Sequence, residues 1–250
     1  MDLGLQGKIA LVTGGASGVG RQIALTLAQE GAGVAVNYRS SREEAEDLAG
    51  EIKVRGGKAK AYQADVSDFA AVKAMVDGIV KDFGGLNILI NNAGLAKRQR
   101  FVETTPEDWH RQIDASLYGA IHCCYAAAPH IEAAKNGRIV AVIGDSSRIG
   151  ESGLAIVAAA RAGVVGLMKS LAREFGRSGT TANTVSLGLV ETAHDKDWVE
   201  ANREKLERLY PVRRLGLPDD IAPMVALLAS SHSGWITGQV LSISGGFSMV

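Results

Sequence analysis

Cysteine is almost missing from this chain. Only Cys123 and Cys124 occur, side by side in 250 residues, and neighbours in sequence are badly placed to bridge one another. That excludes a disulfide-stapled secreted scaffold, and the pair is expected to stay reduced in a cytosol as two small helix residues. An excess of either charge is missing too, since 27 Lys and Arg balance 27 Asp and Glu. Without net charge there is no bulk attraction to nucleic acid or to an anionic membrane, so neither is an expected partner, and weak colloidal repulsion suits self-association. No stretch approaches the ~20 uninterrupted apolar residues of a membrane span. The opening MDLGLQGKIALV has neither the basic nor the long apolar region of a secretory signal. Linker-like shifts in composition, repeats and low-complexity tracts are also missing, which argues for one domain over residues 1–250.

What is present is a soluble-protein composition, 46% hydrophobic with a mean hydropathy of +0.07, laid out in strict alternation. Short apolar, β-branched runs at 8–13, 33–38, 58–63, 86–91, 138–143, 182–187 and 239–243 read as strands. Helical patterns separate them, at about 18–31, 41–55, 68–83, 106–135, 153–177 and 219–230. Pro106-Glu107-Asp108 and Pro218-Asp219-Asp220 supply proline and acids for a first turn. Near-continuous hydrophobic strands alternating with helices predict an α/β fold, a single doubly wound domain with a seven-stranded parallel sheet and helices on both faces. The longest excursion, 188–217, contains a helical stretch at 195–209 and is expected to shape a ligand pocket.

The first strand runs directly into Thr13-Gly14-Gly15-Ala16-Ser17-Gly18-Val19-Gly20, which opens the first helix. Glycines let backbone approach a pyrophosphate, and a helix N-terminus offers free N–H groups and the positive end of its dipole. At the end of the second strand, Asn37-Tyr38-Arg39-Ser40-Ser41 has no acid to bind a ribose 2′-hydroxyl. Arg39 with two hydroxyls suits a 2′-phosphate, which favours NADP over NAD, although Ser17 stands where a second basic residue would strengthen that preference. An ordinary solvated arginine is the other reading of Arg39. No metal is expected.

These motifs, with Asn91-Asn92-Ala93-Gly94 after the fourth strand and Thr237-Gly238-Gln239 leading to Gly245-Gly246, resemble the short-chain dehydrogenase/reductase family, in motif order and across essentially the whole chain. The resemblance implies a Rossmann-type fold and NAD(P)-dependent oxidoreduction. It places Gly14, Ser17, Gly18, Val19, Gly20, Arg39, Asp65, Val66, Asn92, Ala93, Gly94 and Thr192 around the cofactor, with Asp65 and Val66 at the adenine and Gly188 and Thr192 near the nicotinamide.

The same resemblance exposes a departure. Family members use a tyrosine as acid/base, a lysine four residues later, a serine after the fifth strand and an asparagine on the preceding helix. Counting back from Arg161-Ala162-Gly163, those positions hold Val157, Arg161, Gly144 and Ser116. No tyrosine lies between Tyr125 and Tyr210, and no lysine between Lys135 and Lys169, so no shift of register restores the pair. Valine has no proton to give, and arginine stays charged. The leading expectation is therefore a non-catalytic structural or regulatory subunit, in a homo- or hetero-oligomer, as a tetramer with a catalytically complete paralogue. The pattern resembles two-subunit hydroxyacyl-CoA dehydrogenases in which one subunit is inactive. Two alternatives stand beside it. One is an active NAD(P)-dependent oxidoreductase with rearranged acid/base groups, drawn from Asp145, Ser146, Ser147, Arg148, Tyr118, His122, His194 and Asp195. The other is an NADP-binding sensor.

Overall fold

A computed structural model of the chain describes residues 2–192 and 196–250. Seven parallel strands form one sheet in the order β3-β2-β1-β4-β5-β6-β7: β1 Ile9–Val12, β2 Gly33–Tyr38, β3 Lys58–Gln63, β4 Ile88–Asn91, β5 Arg138–Gly144, β6 Thr181–Leu187 and β7 Val240–Ile243. Every residue of β2 and β4 is buried, as expected for strands covered on both faces. At one edge, β3 (KAKAYQ) turns Lys58 and Lys60 to solvent, and exposed lysines discourage pairing with another chain's edge.

The helices are α1 Gly18–Gln29, α2 Arg42–Val54, α3 Phe69–Phe83, α4 Pro106–Ile113, α5 Gly119–Ala133, α6 Ser146–Ile149, α7 Ala155–Glu174, α8 Lys196–Glu207 and α9 Pro218–Ala229. On one face, α1, α2 and α9 bury residues such as Ile23, Leu48 and Val225 against Val12, Val34 and Val140. On the other, α3, α5 and α7 bury Val76, Cys123, Val164 and Met168 against Leu11, Leu89 and Ile139. A third, smaller cluster of Val199, Tyr210 and Leu215 holds α8 over the carboxyl ends of the strands. Caps are visible where the composition asks for them. Asp68 Oδ1 accepts from the Ala70 and Ala71 N–H groups at the start of α3, and Thr105 and Asp108 form a capping box on α4.

Three elements differ from expectation. The stretch 106–135 is not one helix: a π turn, Asp114–Tyr118, separates α4 from α5. There the backbone of Gly119 lies so close to Val66 that a Cβ would stand 2.7 Å from its Cγ2. Directly after β5 comes the four-residue α6, too short to show a hydrophobic period. Finally, α7 is long and apolar enough to cross a membrane by length and composition, because it interrupts its apolar run with few charges. One face of it, Val157, Ala160, Val164, Met168 and Ala172, is buried in this domain.

Candidate active site

Strand order reverses between β1 and β4, and the crevice outside their carboxyl ends is where open α/β sheets hold ligands. The loop from Thr13 to Gly20 lies there, and its shape is set by its neighbours. Asn37 Oδ1 accepts from the Gly14 N–H at 3.1 Å, while Asn37 Nδ2 donates to the Ala64 carbonyl at 3.0 Å. Thr13 Oγ1 accepts from the Asn92 and Ala93 N–H groups, both at 3.0 Å. Asn92 Nδ2 donates to the Thr13 and Gly14 carbonyls at 3.0 and 3.1 Å. Gly20 has no room for a side chain, since a Cβ would stand 2.3 Å from the Gly14 oxygen and 2.5 Å from Asn92 Nδ2. Ser17, the N-cap of α1, makes no capping bond, which leaves the first-turn N–H groups open to a ligand.

Gly14, Ser17, Arg39, Asp65, Val66, Ala93 and Gly94 line one cleft of about 200 Å³, together with Ser40 and Ser41. Arg39 forms no ion pair among the described residues, yet its charge reaches Asp65. Burial alone would raise the Asp65 carboxyl, but hydrogen bonds from Ser67 and the Arg39 charge hold it below the usual range. Gly18 and Thr192 face one another, with Thr192 Cγ2 3.2 Å from a Cβ built on Gly18. Val19 instead packs into the core behind α1, and Asn92 braces the loop. Asn37, which the sequence reading noted only for not being an acid, is the residue that ties the glycine loop to β2; no sequence signal marks that role.

Past Gly94 and Gly144 the cleft opens on a second cavity, of about 340 Å³, walled by α6, α7, α8 and the loop after β6. Gly144, Asp145, Ser146 and Arg161 line it. Val157 is fully buried in the core. Ser116 sits on the π turn, where its Oγ accepts from the Leu95 N–H at 3.2 Å. Asp145 is buried at the end of β5, where its Oδ1 accepts from the Ser186 and Ser242 hydroxyls. Asp145 Oδ2 and Ser146 Oγ are buried without a hydrogen-bond partner among the described residues.

The other candidates fall elsewhere. Ser147 Oγ donates to the Gly144 carbonyl at 2.7 Å, and Arg148 donates to Ser242 and to the Val250 carbonyl. Tyr118 and His122 stack on the outer surface with Phe69 and Tyr125, away from the cavity, while His122 Nδ1 lies 2.9 Å from the Val66 carbonyl. His194 and Asp195 lie outside the described residues. Tyr210 does line the cavity, and sequence reasoning missed it because it lies far from any family motif. Its hydroxyl accepts from the Leu189 N–H at 2.8 Å. Burial pushes its phenol above the ordinary value, offset in part by the Leu189 bond and reinforced by Glu151 and Asp145.

A family model described as enoyl-(acyl carrier protein) reductase matches residues 14–248. The chain belongs to the short-chain dehydrogenase/reductase family. The 3-oxoacyl-[acyl-carrier-protein] reductase FabG of Staphylococcus aureus is 39% identical over 242 residues, covering 97% of this chain and 98% of that protein. The (2S)-[(R)-hydroxy(phenyl)methyl]succinyl-CoA dehydrogenase subunit BbsD of Thauera aromatica is 38% identical over 247 residues, 99% of each chain. Among solved structures, a short-chain dehydrogenase from Burkholderia cenocepacia in complex with NADP superposes with a TM-score of 0.91 at 35% identity, covering 97% of this chain and 98% of that one. These relatives correct the expectation of a non-catalytic subunit. Reductases span the same length at nearly 40% identity, so the residues at positions 116, 144, 157 and 161 by themselves do not remove the chain from a family of oxidoreductases.

Proposed function

We propose that this protein is an NAD(P)-dependent oxidoreductase that interconverts a carbonyl and an alcohol, with its acid/base group moved from α7 to the start of α6. The observation that carries it is the cavity at the inner end of the dinucleotide cleft. There Asp145 Oδ2 and Ser146 Oγ are buried, unpaired and adjacent to Gly144, and an unpaired buried polar group is costly unless a ligand completes it. A dinucleotide fits the first cleft: Gly14 and Gly20 allow close approach, the start of α1 offers open N–H groups, and Arg39 with Ser40 and Ser41 suits a 2′-phosphate, as in NADP.

A bound nicotinamide would supply or accept the hydride. The protein's part is to orient the substrate and handle the proton. Ser146 Oγ–H donates to the substrate oxygen and aims the carbonyl. In reduction Asp145 Oδ2 passes a proton to the oxygen that becomes hydroxyl, and in oxidation Oδ2 takes it back. Hydrogen bonds from Ser186 and Ser242 to Oδ1 fix the carboxyl's rotation throughout. Tyr210 holds the loop after β6 by its bond to Leu189 and so closes the cavity wall.

The test is nicotinamide absorbance with purified chain, NADPH or NADH and a 3-oxoacyl thioester. Turnover is expected, and Asp145→Asn should lower kcat by about 10²–10⁴-fold with a small change in KM. No turnover with carbonyl substrates, or an Asp145→Asn variant as fast as the parent, would overturn the reading. Self-association belongs to the same proposal. The exposed aromatic strip of Phe69 on α3, Tyr118 on the π turn and Tyr125 on α5, beside the small residues of α5 and α7, suits a helix-to-helix contact between subunits.

A further inference from the structure

Arg161 is a half-buried cation without a partner among the described residues. Its guanidinium makes no hydrogen bond and no ion pair there, and desolvation holds its pKa below the ordinary arginine value. The contrast with Arg138 is instructive. Arg138 is buried, and its nitrogens donate to the carbonyls of Ser230, Asn136, Gly137 and Gly179 at 2.8–3.2 Å. A structural arginine in this fold is therefore satisfied by backbone. Arg161 points its guanidinium into the substrate cavity instead. Its Nη1 lies 2.8 Å from where a Cβ on Gly144 would stand, and its Nη2 lies 3.9 Å from the equivalent point on Gly94. A Cβ at position 144 would push the guanidinium aside, so Gly144 leaves it room in the cavity.

A second observation points to the same place. Ser146 Oγ, fully buried and unpaired, stands 3.6 Å from the same Gly144 Cβ position. Two sets of donors, the planar fork of Arg161 and one hydroxyl, thus converge on one wall of the cavity without forming a hydrogen bond among the described residues. Of the two other basic side chains on the cavity's lining, both exposed, Lys205 lies on α8 and Arg98 is held by Glu151 and the Ser152 carbonyl.

We propose that Arg161 is the anion subsite of the substrate pocket, and that the substrate is an oxo or hydroxy acid whose free carboxylate is held by this guanidinium while its oxygen faces Ser146 and Asp145. The inference rests on the oxidoreductase reading and adds the class of substrate. A carboxylate matches the planar fork with two parallel bonds, and one negative charge balances one guanidinium. A phosphate dianion would leave a surplus negative charge facing the Asp145 carboxylate in the same cavity, which disfavours it.

Calorimetric titration without cofactor tests this separately from turnover. Acetoacetate, its neutral isostere acetoacetamide, and inorganic phosphate are the probes. Acetoacetate is expected to bind at least about tenfold more tightly than acetoacetamide, as the loss of a charge-assisted pair requires, and more tightly than phosphate. Arg161→Met should abolish the preference. Arg161→Lys, which keeps the charge but not the fork, should weaken acetoacetate by roughly tenfold while retaining some discrimination against the amide. Equal binding of acetoacetate and acetoacetamide, tighter binding of phosphate, or an Arg161→Met variant with unchanged acetoacetate affinity would each overturn the assignment. So would an Arg161→Met variant that loses only NADPH affinity, since the guanidinium would then serve the cofactor. Turnover of a neutral 3-oxoacyl thioester alongside any of those results would leave the oxidoreductase reading standing and remove only the carboxylate subsite.

Discussion

Arg138 and Arg161 show how the same side chain does opposite things at two ends of one sheet. Arg138 lies at the amino end of β5 and ties the Gly137 and Gly179 carbonyls to Ser230 before α9's following turn. Replacing it with methionine leaves the Asn136 and Gly179 carbonyls without a donor among the described residues, while Gly137 and Ser230 keep Thr181 and Ser233, and each unpaired group costs about 1–3 kcal/mol. Arg161 has no such bonds to lose. Its guanidinium lines the cavity without a partner among the described residues, so Arg161→Met removes a charge without breaking such a bond. Urea unfolding should show Arg138→Met destabilised by at least about 2 kcal/mol, with Arg161→Met neutral or more stable than the parent. A large destabilisation by Arg161→Met would mean that the charge is structurally paired. Asp145 obeys the same logic from the acid side. One oxygen is fixed by Ser186 and Ser242, and the other is left open toward the cavity.

Among the elements, α8, which walls the cavity, and α9, which packs on the sheet with α1, are both anchored by ion pairs rather than by apolar contact alone. Arg203 of α8 clasps Glu191 with two bonds of 2.9 Å each, holding the Glu191 carboxyl below the usual range chiefly through those hydrogen bonds. At the start of α9, Asp220 accepts from Arg214 at 2.6 and 2.7 Å and from the Leu217 N–H at 2.8 Å. These bonds, the one from Arg214 foremost, bring its carboxyl down to about 2. A carboxyl lowered in the folded state contributes stability that is complete above its unfolded value, near ~4, and is lost as pH falls toward the folded value. The stability difference between the parent and Asp220→Asn should therefore be full at neutral pH and shrink between about pH 4 and pH 2. A difference that stays constant across that window in chemical denaturation would show that the carboxylate's charge is not what holds α9.

The whole molecule buries two cores, one on each face of the sheet, and still leaves aromatic surface uncovered on α3 and α5. Tyr125 is 71% exposed and packs edge-on to Phe69 with nothing outside it. The cost of leaving such a strip in water is removed if a second subunit covers it. Tyr125→Glu should accordingly lower the molar mass seen by light scattering during size-exclusion chromatography, with the α/β circular dichroism unchanged. An unaltered mass would place any subunit contact on another face.

Sequence by itself determined the fold and the place of the glycine loop in it. Period and composition specify strands covered on both faces, because a buried parallel strand has to be apolar throughout, and β2 and β3 fall on the residues expected. The glycine loop was legible for a local reason: a strand, a glycine-rich turn and a helix start are contiguous in the chain. Equally legible was the lack of a tyrosine between Tyr125 and Tyr210 and of a lysine between Lys135 and Lys169. Only the tertiary structure decided which side chains meet around the cavity. That Gly144 makes space for Arg161, that Asp145 is gripped by Ser186 and Ser242 from two other strands, and that Tyr210 reaches back to Leu189 are contacts between residues 17 to 97 positions apart. No local pattern encodes such distances. Tyr118 and His122 made plausible proton carriers on a linear reading, and the π turn with the packing of α5 on α3 sent them to the outer surface, because the face a helix residue presents is set by what the helix packs against.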